Sequence, residues 1–171
     1  MDILRAPWRM EYIDSSTDDA QRSSKKNGCI FCVYPQEDKD EENLLLYRGK
    51  SAFVILNRYP YSTGHLMVVP YRHTSVFGSL SDEEKLETMS LAQTSVSVLG
   101  CTMQPDGFNL GMNIGRVAGA GIDAHLHLHI VPRWNGDTNF MSVTSETKVL
   151  PEALIVTRKR ILKTWNEMDI S

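Results

Sequence analysis

The chain has 171 residues, ordinary for one domain and long enough to bury a core without disulfides. Its 42% apolar and 23% charged residues are those of a water-soluble globular chain. A net charge of −3 argues against a general nucleic-acid binder, which needs a basic surface, but one nucleotide requires only a local cluster of donors.

Met1 to Met10 mixes Asp2, Arg5 and Arg9 with its apolar residues, so it does not read as a signal peptide. No apolar run anywhere approaches the roughly 18 residues of a membrane span. Asp14 to Asn27 is polar and Ser-rich, an expected exposed loop within an N-terminal arm, residues 1–27. Glu37 to Glu42 is acidic and reads as a solvated face. Leu44–Tyr47 and Ala52–Leu56 are predicted strands joined around Gly49. Tyr59 to Gly64 breaks the pattern, and Leu66–Val69 is a further strand closed by Pro70. Ser81 followed by Glu84 has the spacing of a capping box. The helix behind it carries Leu86, Met89 and Val96 and is expected to end near Gly100, with Cys101 after it in the core. Phe108–Asn113 is a candidate strand, Gly115–Gly121 a flexible turn, and His125–Val131 the next strand. Pro151 opens a helical pattern that runs to about Trp165. The order implies an α+β fold, with a mostly antiparallel sheet of about five strands, a long helix and a C-terminal helix.

The most informative segment is His125-Leu126-His127-Leu128-His129-Ile130-Val131. A strand sends alternate side chains to one face, so the three imidazoles share a face opposite Leu126, Leu128 and Ile130. Packing does not explain three of the chain's five histidines in strict alternation. Neutral imidazole is a good nucleophile near pH 7 and leaves readily from phosphorus. One ring nitrogen attacks only if the other holds the proton, which a backbone carbonyl would fix. His127 is the central member, and His129 is placed to donate to phosphate oxygens. The rival chemistry is a zinc hydrolase using all three imidazoles. Same-face neighbours on one strand lie about 6.5–7 Å apart, which makes that awkward around one ion.

Cys29-Ile30-Phe31-Cys32 has the spacing that lets two thiolates reach one zinc. A redox pair is the alternative, though no βαβ pattern surrounds it; two buried free thiols are another. His73 and His125 are the natural completion of a four-ligand zinc site, which would be structural because no position stays open. An odd cysteine count with one C-x-x-C does not describe a disulfide framework and fits a reducing cytoplasm.

The H-x-H-x-H segment followed by two apolar residues resembles the signature of the histidine-triad family. The resemblance extends to Leu56-Asn57-Arg58-Tyr59-Pro60, Gly64-His65, Val68-Val69-Pro70, Asn113-Ile114-Gly115 and Ala118-Gly119, and so covers residues of about 28 to 134 within one domain spanning 1–171. It implies a two-step nucleotidyl transfer in which His127 forms a covalent nucleotidyl-histidine. His129 and Asn113 would contact phosphates beside the Gly119 turn, Asn57 the ribose, and His65 would order the pocket or touch the ligand. The zinc-bearing branch of the family uses a Cys, Cys, His, His set, which carries over to Cys29, Cys32, His73 and His125. Hydrolases of the family commonly carry Gln where this chain has Gly121. The space and exposed N–H groups there suit inorganic phosphate as acceptor. Val131-Pro132-Arg133-Trp134 and Gly136-Asp137-Thr138-Asn139-Phe140 are similar to the dinucleoside polyphosphate phosphorylases of the family, where Arg133 and Trp134 would order the distal part of the substrate. The resemblance thus implies a diadenosine tetraphosphate phosphorylase-like or hydrolase-like homodimer, with structural zinc and no organic cofactor. A non-catalytic nucleotide-binding adaptor and a zinc metallohydrolase are the alternatives.

Overall fold

The computed structural model describes residues 28–137 and 152–168. The expectations for the N-terminal arm, for Thr138-Asn139-Phe140 and for Pro151 lie outside them. Within this range the chain runs α1 (Ile30–Val33), β1 (Leu45–Arg48), β2 (Ala52–Leu56), β3 (Leu66–Pro70), α2 (Asp82–Met103), β4 (Gly107–Gly111), β5 (Leu128–Arg133) and α3 (Leu154–Glu167). The strands form one antiparallel sheet in the order β1-β2-β3-β5-β4. The α+β architecture expected from the sequence is present: five strands, a long helix and a C-terminal helix.

Central strands β2 and β3 are buried at every position, which is why Ala52–Leu56 and Leu66–Pro70 read as continuous apolar runs. Each fully buried Val, Leu or Ile there contributes about 1.5–3 kcal/mol relative to exposure. The register assigns the faces. Tyr47, Val54, Val68 and Leu128 are successive cross-strand partners. Trp165 of α3 stacks on Tyr47, with ring centroids 5.3 Å apart, so this is the face that the helix covers. Ile55, Met67 and His129 form the adjacent row and point to the opposite face. The β5 strand therefore sends Leu128 and Ile130 under the helices and His129 away from them.

The capping box forms: Ser81 Oγ accepts from the Glu84 amide at 3.2 Å, and Glu84 Oε2 accepts from the Ser81 amide at 2.8 Å. Arg72 adds a guanidinium pair to the same carboxylate. The far end of the helix departs from expectation. It does not stop near Gly100 but runs to Met103 and ends where Gln104 turns left-handed. Two corrections follow. Cys101 lies inside α2 and is exposed rather than core. Leu86 and Met89 also face solvent, and the buried stripe is Thr88, Leu91, Ala92, Ser95, Val98 and Leu99. The remaining boundaries shift less: β4 covers Gly107–Gly111 rather than Phe108–Asn113, and α3 begins at Leu154.

Candidate functional site

The histidine segment enters the sheet later than its pattern suggests. β5 begins at Leu128, so His125 and His127 lie just before it, where the Leu126 amide donates to Thr74 O at 2.8 Å. All three imidazoles are nevertheless buried, at 1%, 5% and 9% exposure. They are not a solvent-facing row. Phe31 of α1, itself buried, packs on His125 and His127, with centroids at 5.5 and 5.1 Å.

Each ring is held by a different partner. His127 Nδ1 donates to the carbonyl oxygen of His125 at 2.8 Å. A carbonyl only accepts, so the proton sits on Nδ1 and Nε2 carries the lone pair. Burial pushes the His127 pKa below the usual histidine range, and the ring stays neutral at pH 7. His129 lies beside it, with centroids 4.7 Å apart. Its Nδ1 sits 2.9 Å from Nε2 of His65, a fully buried residue immediately before β3.

His125 is turned the other way. Its Nε2 donates to the Pro70 carbonyl at 2.8 Å, so its Nδ1 carries a lone pair. That nitrogen lies 3.4 Å from Cys29 Sγ, 3.6 Å from Cys32 Sγ and 3.3 Å from His73 Nδ1. Cys32 Sγ is 3.3 Å from His73 Nδ1. All four ligand atoms lie within 4.8 Å of one another. A tetrahedron with metal–sulfur bonds of about 2.3 Å and metal–nitrogen bonds of about 2.0–2.1 Å has edges of roughly 3.3–3.8 Å. The four distances just given, 3.3–3.6 Å, match four of its six edges. The turn of α1 makes this possible: the Cys32 and Val33 amides both donate to Cys29 O, which brings the two sulfurs to one side. Burial, and then repulsion from Cys32, push the Cys29 thiol up to about 11. A bound cation inverts that balance, because a coordinated thiol gives up its proton. Burial pushes His125 down to about 4, so it stays neutral, the form a metal accepts. The cluster is capable of binding a metal ion.

The model of the HIT domain matches residues 38–136. This chain belongs to the HIT family. It is 41% identical over 163 residues to a protein of Mycobacterium tuberculosis named AP-4-A phosphorylase, covering 95% of this chain and 83% of that one. Among solved structures it is similar to a zinc-bound histidine triad family protein from Mycobacterium smegmatis (TM-score 0.69, 23% identity, 85% of this chain and 98% of that one). It is also similar to a hypothetical histidine triad nucleotide-binding protein from Sulfolobus tokodaii (TM-score 0.65, 25% identity, 82% and 93%).

The other residues singled out in this HIT chain fall into two groups. Asn57 and His65 lie at the outer end of the triad, beside Tyr61, which the sequence did not mark. Asn57 Nδ2 lies 3.3 Å from His65 Nδ1, and the Tyr61 ring packs on His65 and His129 at 4.7 and 5.8 Å. Asn113 orders the Gly-rich turn, its Nδ2 donating to Gly119 O at 3.4 Å, and Gly115 and Gly119 both take the positive φ that this turn requires. Gly121 is half-buried, beyond that turn. Arg133 is engaged elsewhere: its guanidinium grips Asp137 at 2.5 and 2.8 Å and Asn109 at 3.0 Å. It therefore fixes the turn carrying the half-buried Trp134 rather than offering an uncommitted charge. Two contributors escaped the sequence reading. Phe31 was visible only as a spacer between cysteines. Tyr61 contributes its ring and its main-chain amide, and for the amide no residue type is a signal.

Proposed function

We propose that this HIT protein transfers the nucleotidyl group of adenosine nucleotides, diadenosine polyphosphates in particular, through a covalent intermediate on His127. The observation that carries this reading is the bond from His127 Nδ1 to the His125 carbonyl, because it leaves Nε2 unprotonated on a neutral, buried ring. The Nε2 lone pair forms the nitrogen–phosphorus bond at the α-phosphorus, and the bond to the leaving polyphosphate oxygen breaks. An acceptor oxygen then forms its bond to phosphorus, and the bond to nitrogen breaks. His129 stabilises the charge on the phosphate oxygens. Asn57, Asn113 and the turn at Gly119 and Gly121 line the nucleotide side.

Inorganic phosphate is the acceptor in this reading. It rests on the small residue at Gly121 and on the 41% identity to a protein named as a phosphorylase. Cys29, Cys32, His73 and His125 would hold zinc, whose role is to tether α1 to the histidine segment; four protein ligands leave no open position for chemistry. His127 is not one of the four, which separates this reading from a metallohydrolase.

No helix among the described residues is long and apolar enough to cross a membrane, and a cysteine pair that serves as a zinc site beside an unpaired Cys101 suits a reducing, cytoplasmic compartment. The proposed assembly is a homodimer. Among the described residues β4 is bonded on one side only, and Leu110 upon it is exposed, as are Leu86 and Met89 on α2. Light scattering on the purified protein checks that.

The function test is incubation with diadenosine tetraphosphate, with and without phosphate. ADP plus ATP, appearing only with phosphate, supports the reading, and mass spectrometry should find AMP on His127. AMP plus ATP in either condition makes water the acceptor. Absence of any adduct returns the chain to the adaptor class.

A further inference from the structure

His65 stands outside the triad, yet it is fully buried and hydrogen-bonded at both ring nitrogens. On one side the Tyr61 amide donates to its Nδ1 at 3.0 Å. Asn57 Nδ2 lies 3.3 Å from the same atom. The orientation of that amide is set independently, because Asn57 Oδ1 accepts from the Tyr59 amide at 2.9 Å. Both neighbours of His65 Nδ1 are thus N–H donors, and neither has a lone pair to offer. Nδ1 must accept, so the His65 proton sits on Nε2. That proton points at His129 Nδ1, 2.9 Å away. His129 Nδ1 must accept in turn, and its own proton is left on Nε2.

We infer that His65 is a positioning residue that locks His129 as an Nε2–H donor, and that the lock originates in the Tyr61 main-chain amide and the Asn57 side chain. The inference rests on the nucleotidyl-transfer reading for its purpose and deepens it. Adjacent rings 4.7 Å apart are held in opposite tautomers: His127 presents a lone pair at Nε2, and His129 an N–H. A nucleophile and an oxyanion donor come from identical side chains because one ring is tied to a carbonyl and the other to a relay of donors. Asn57, whose sequence position suggests ribose, spends one face on this relay. The Tyr61 ring packs against both members of the His65–His129 pair, which is buried, so little water competes for the bond between them.

The test uses full-length, metal-loaded protein with ¹⁵N-labelled histidine, and reads the two ring nitrogens of His129 by proton–nitrogen correlation NMR without substrate. Wild type should show one tautomer, protonated at Nε2. His65→Leu should give a mixture, and should lower kcat by about 10–100-fold with KM nearly unchanged, the range that outer partners of a working histidine command. His65→Gln keeps a side-chain N–H within reach of His129 Nδ1 and should recover the single tautomer and most of kcat. Should His65→Leu fail to fold, wild type and His65→Gln still decide the matter. The inference is overturned if wild-type His129 carries its proton on Nδ1, or if His65→Leu changes neither tautomer nor kcat. It is equally overturned if His65→Gln is as impaired as His65→Leu, which would make the residue merely structural. The NMR arm needs no substrate, so its failure is distinct from that of the functional reading, which falls with the absence of a His127 adduct.

Discussion

Replacing Cys29 with Ser removes one corner of the four-ligand cluster while leaving His127 and its partner untouched. Structural zinc sites with four ligands bind with about 10–16 kcal/mol of apparent free energy. One ligand in four carries about 3 kcal/mol of that, close to a hundredfold in affinity. Zinc binds the folded chain, so the loss should appear as stability, about 6–12 °C of melting temperature for a chain of this size. Turnover per folded molecule should fall by much less. The carbonyl that orients His127 belongs to His125, and that residue keeps two non-metal anchors: its Nε2 on Pro70 O and the neighbouring Leu126 amide on Thr74 O, both at 2.8 Å. The assay is zinc content by elemental analysis, with thermal unfolding with and without chelator. Wild type should lose stability to chelator, and Cys29→Ser should start low and respond little. A variant with full zinc content and the same chelator response would refute the assignment of that sulfur, and the tetrahedral reading with it.

His127→Ala should abolish transfer and adduct formation together, as no other residue supplies the covalent step; near-normal turnover contradicts the mechanism. Arg72, foremost, holds the Glu84 carboxyl down to about 2, so its folded pKa lies below the unfolded one. Its stabilisation is complete above about pH 4.5 and is lost as pH falls towards 2. Discounted for the exposed Arg72, Glu84→Gln should cost about 1 kcal/mol at pH 7 and almost nothing near pH 2 in denaturant titrations, and a gap independent of pH would contradict the ion pair. Gly64→Ala forces a side chain onto φ +80° and sets Cβ 2.7 Å from the movable end of Met103, so a loss of about 1–2 kcal/mol is expected; an unchanged melting temperature would contradict it. Cys101, exposed on α2, should react at once with a thiol reagent, while Cys29 and Cys32 react only after chelation. Uniform labelling of all three before chelation is the contrary result.

Much of the candidate site was legible because its signals are local. Period-two histidines, a C-x-x-C turn and a Ser-x-x-Glu cap each specify geometry over a few residues. What escaped depends on tertiary context. Gly100 looked like a helix end, but α2 continues through it and the chain turns left-handed only at Gln104. Pro105 just beyond was the better signal. Those three further residues carried Cys101 out of the expected core onto an exposed helical face. The pairing of Arg133 with Asp137, four residues along on the same turn, is a further contact that the sequence did not announce.

The alternation itself proved a partial guide. It put the histidines side by side, and the sequence already divided them into zinc ligand, nucleophile and phosphate donor; which nitrogen each would use was not legible. The structure gives each ring a different set of partners, and His127 the opposite tautomer to the other two. His125 gives Pro70 its Nε2 proton and turns Nδ1 to the cluster. His127 gives the His125 carbonyl its Nδ1 proton and keeps Nε2 bare. His129 accepts at Nδ1 from His65. None of these differences is written in the residue type; each is set by a backbone carbonyl, a backbone amide or a ring from elsewhere in the fold. It follows that the three positions should not tolerate the same substitution. Asn or Gln can imitate a donor and belongs, if anywhere, at 129, whereas no uncharged non-aromatic side chain reproduces the bare nucleophilic nitrogen at 127.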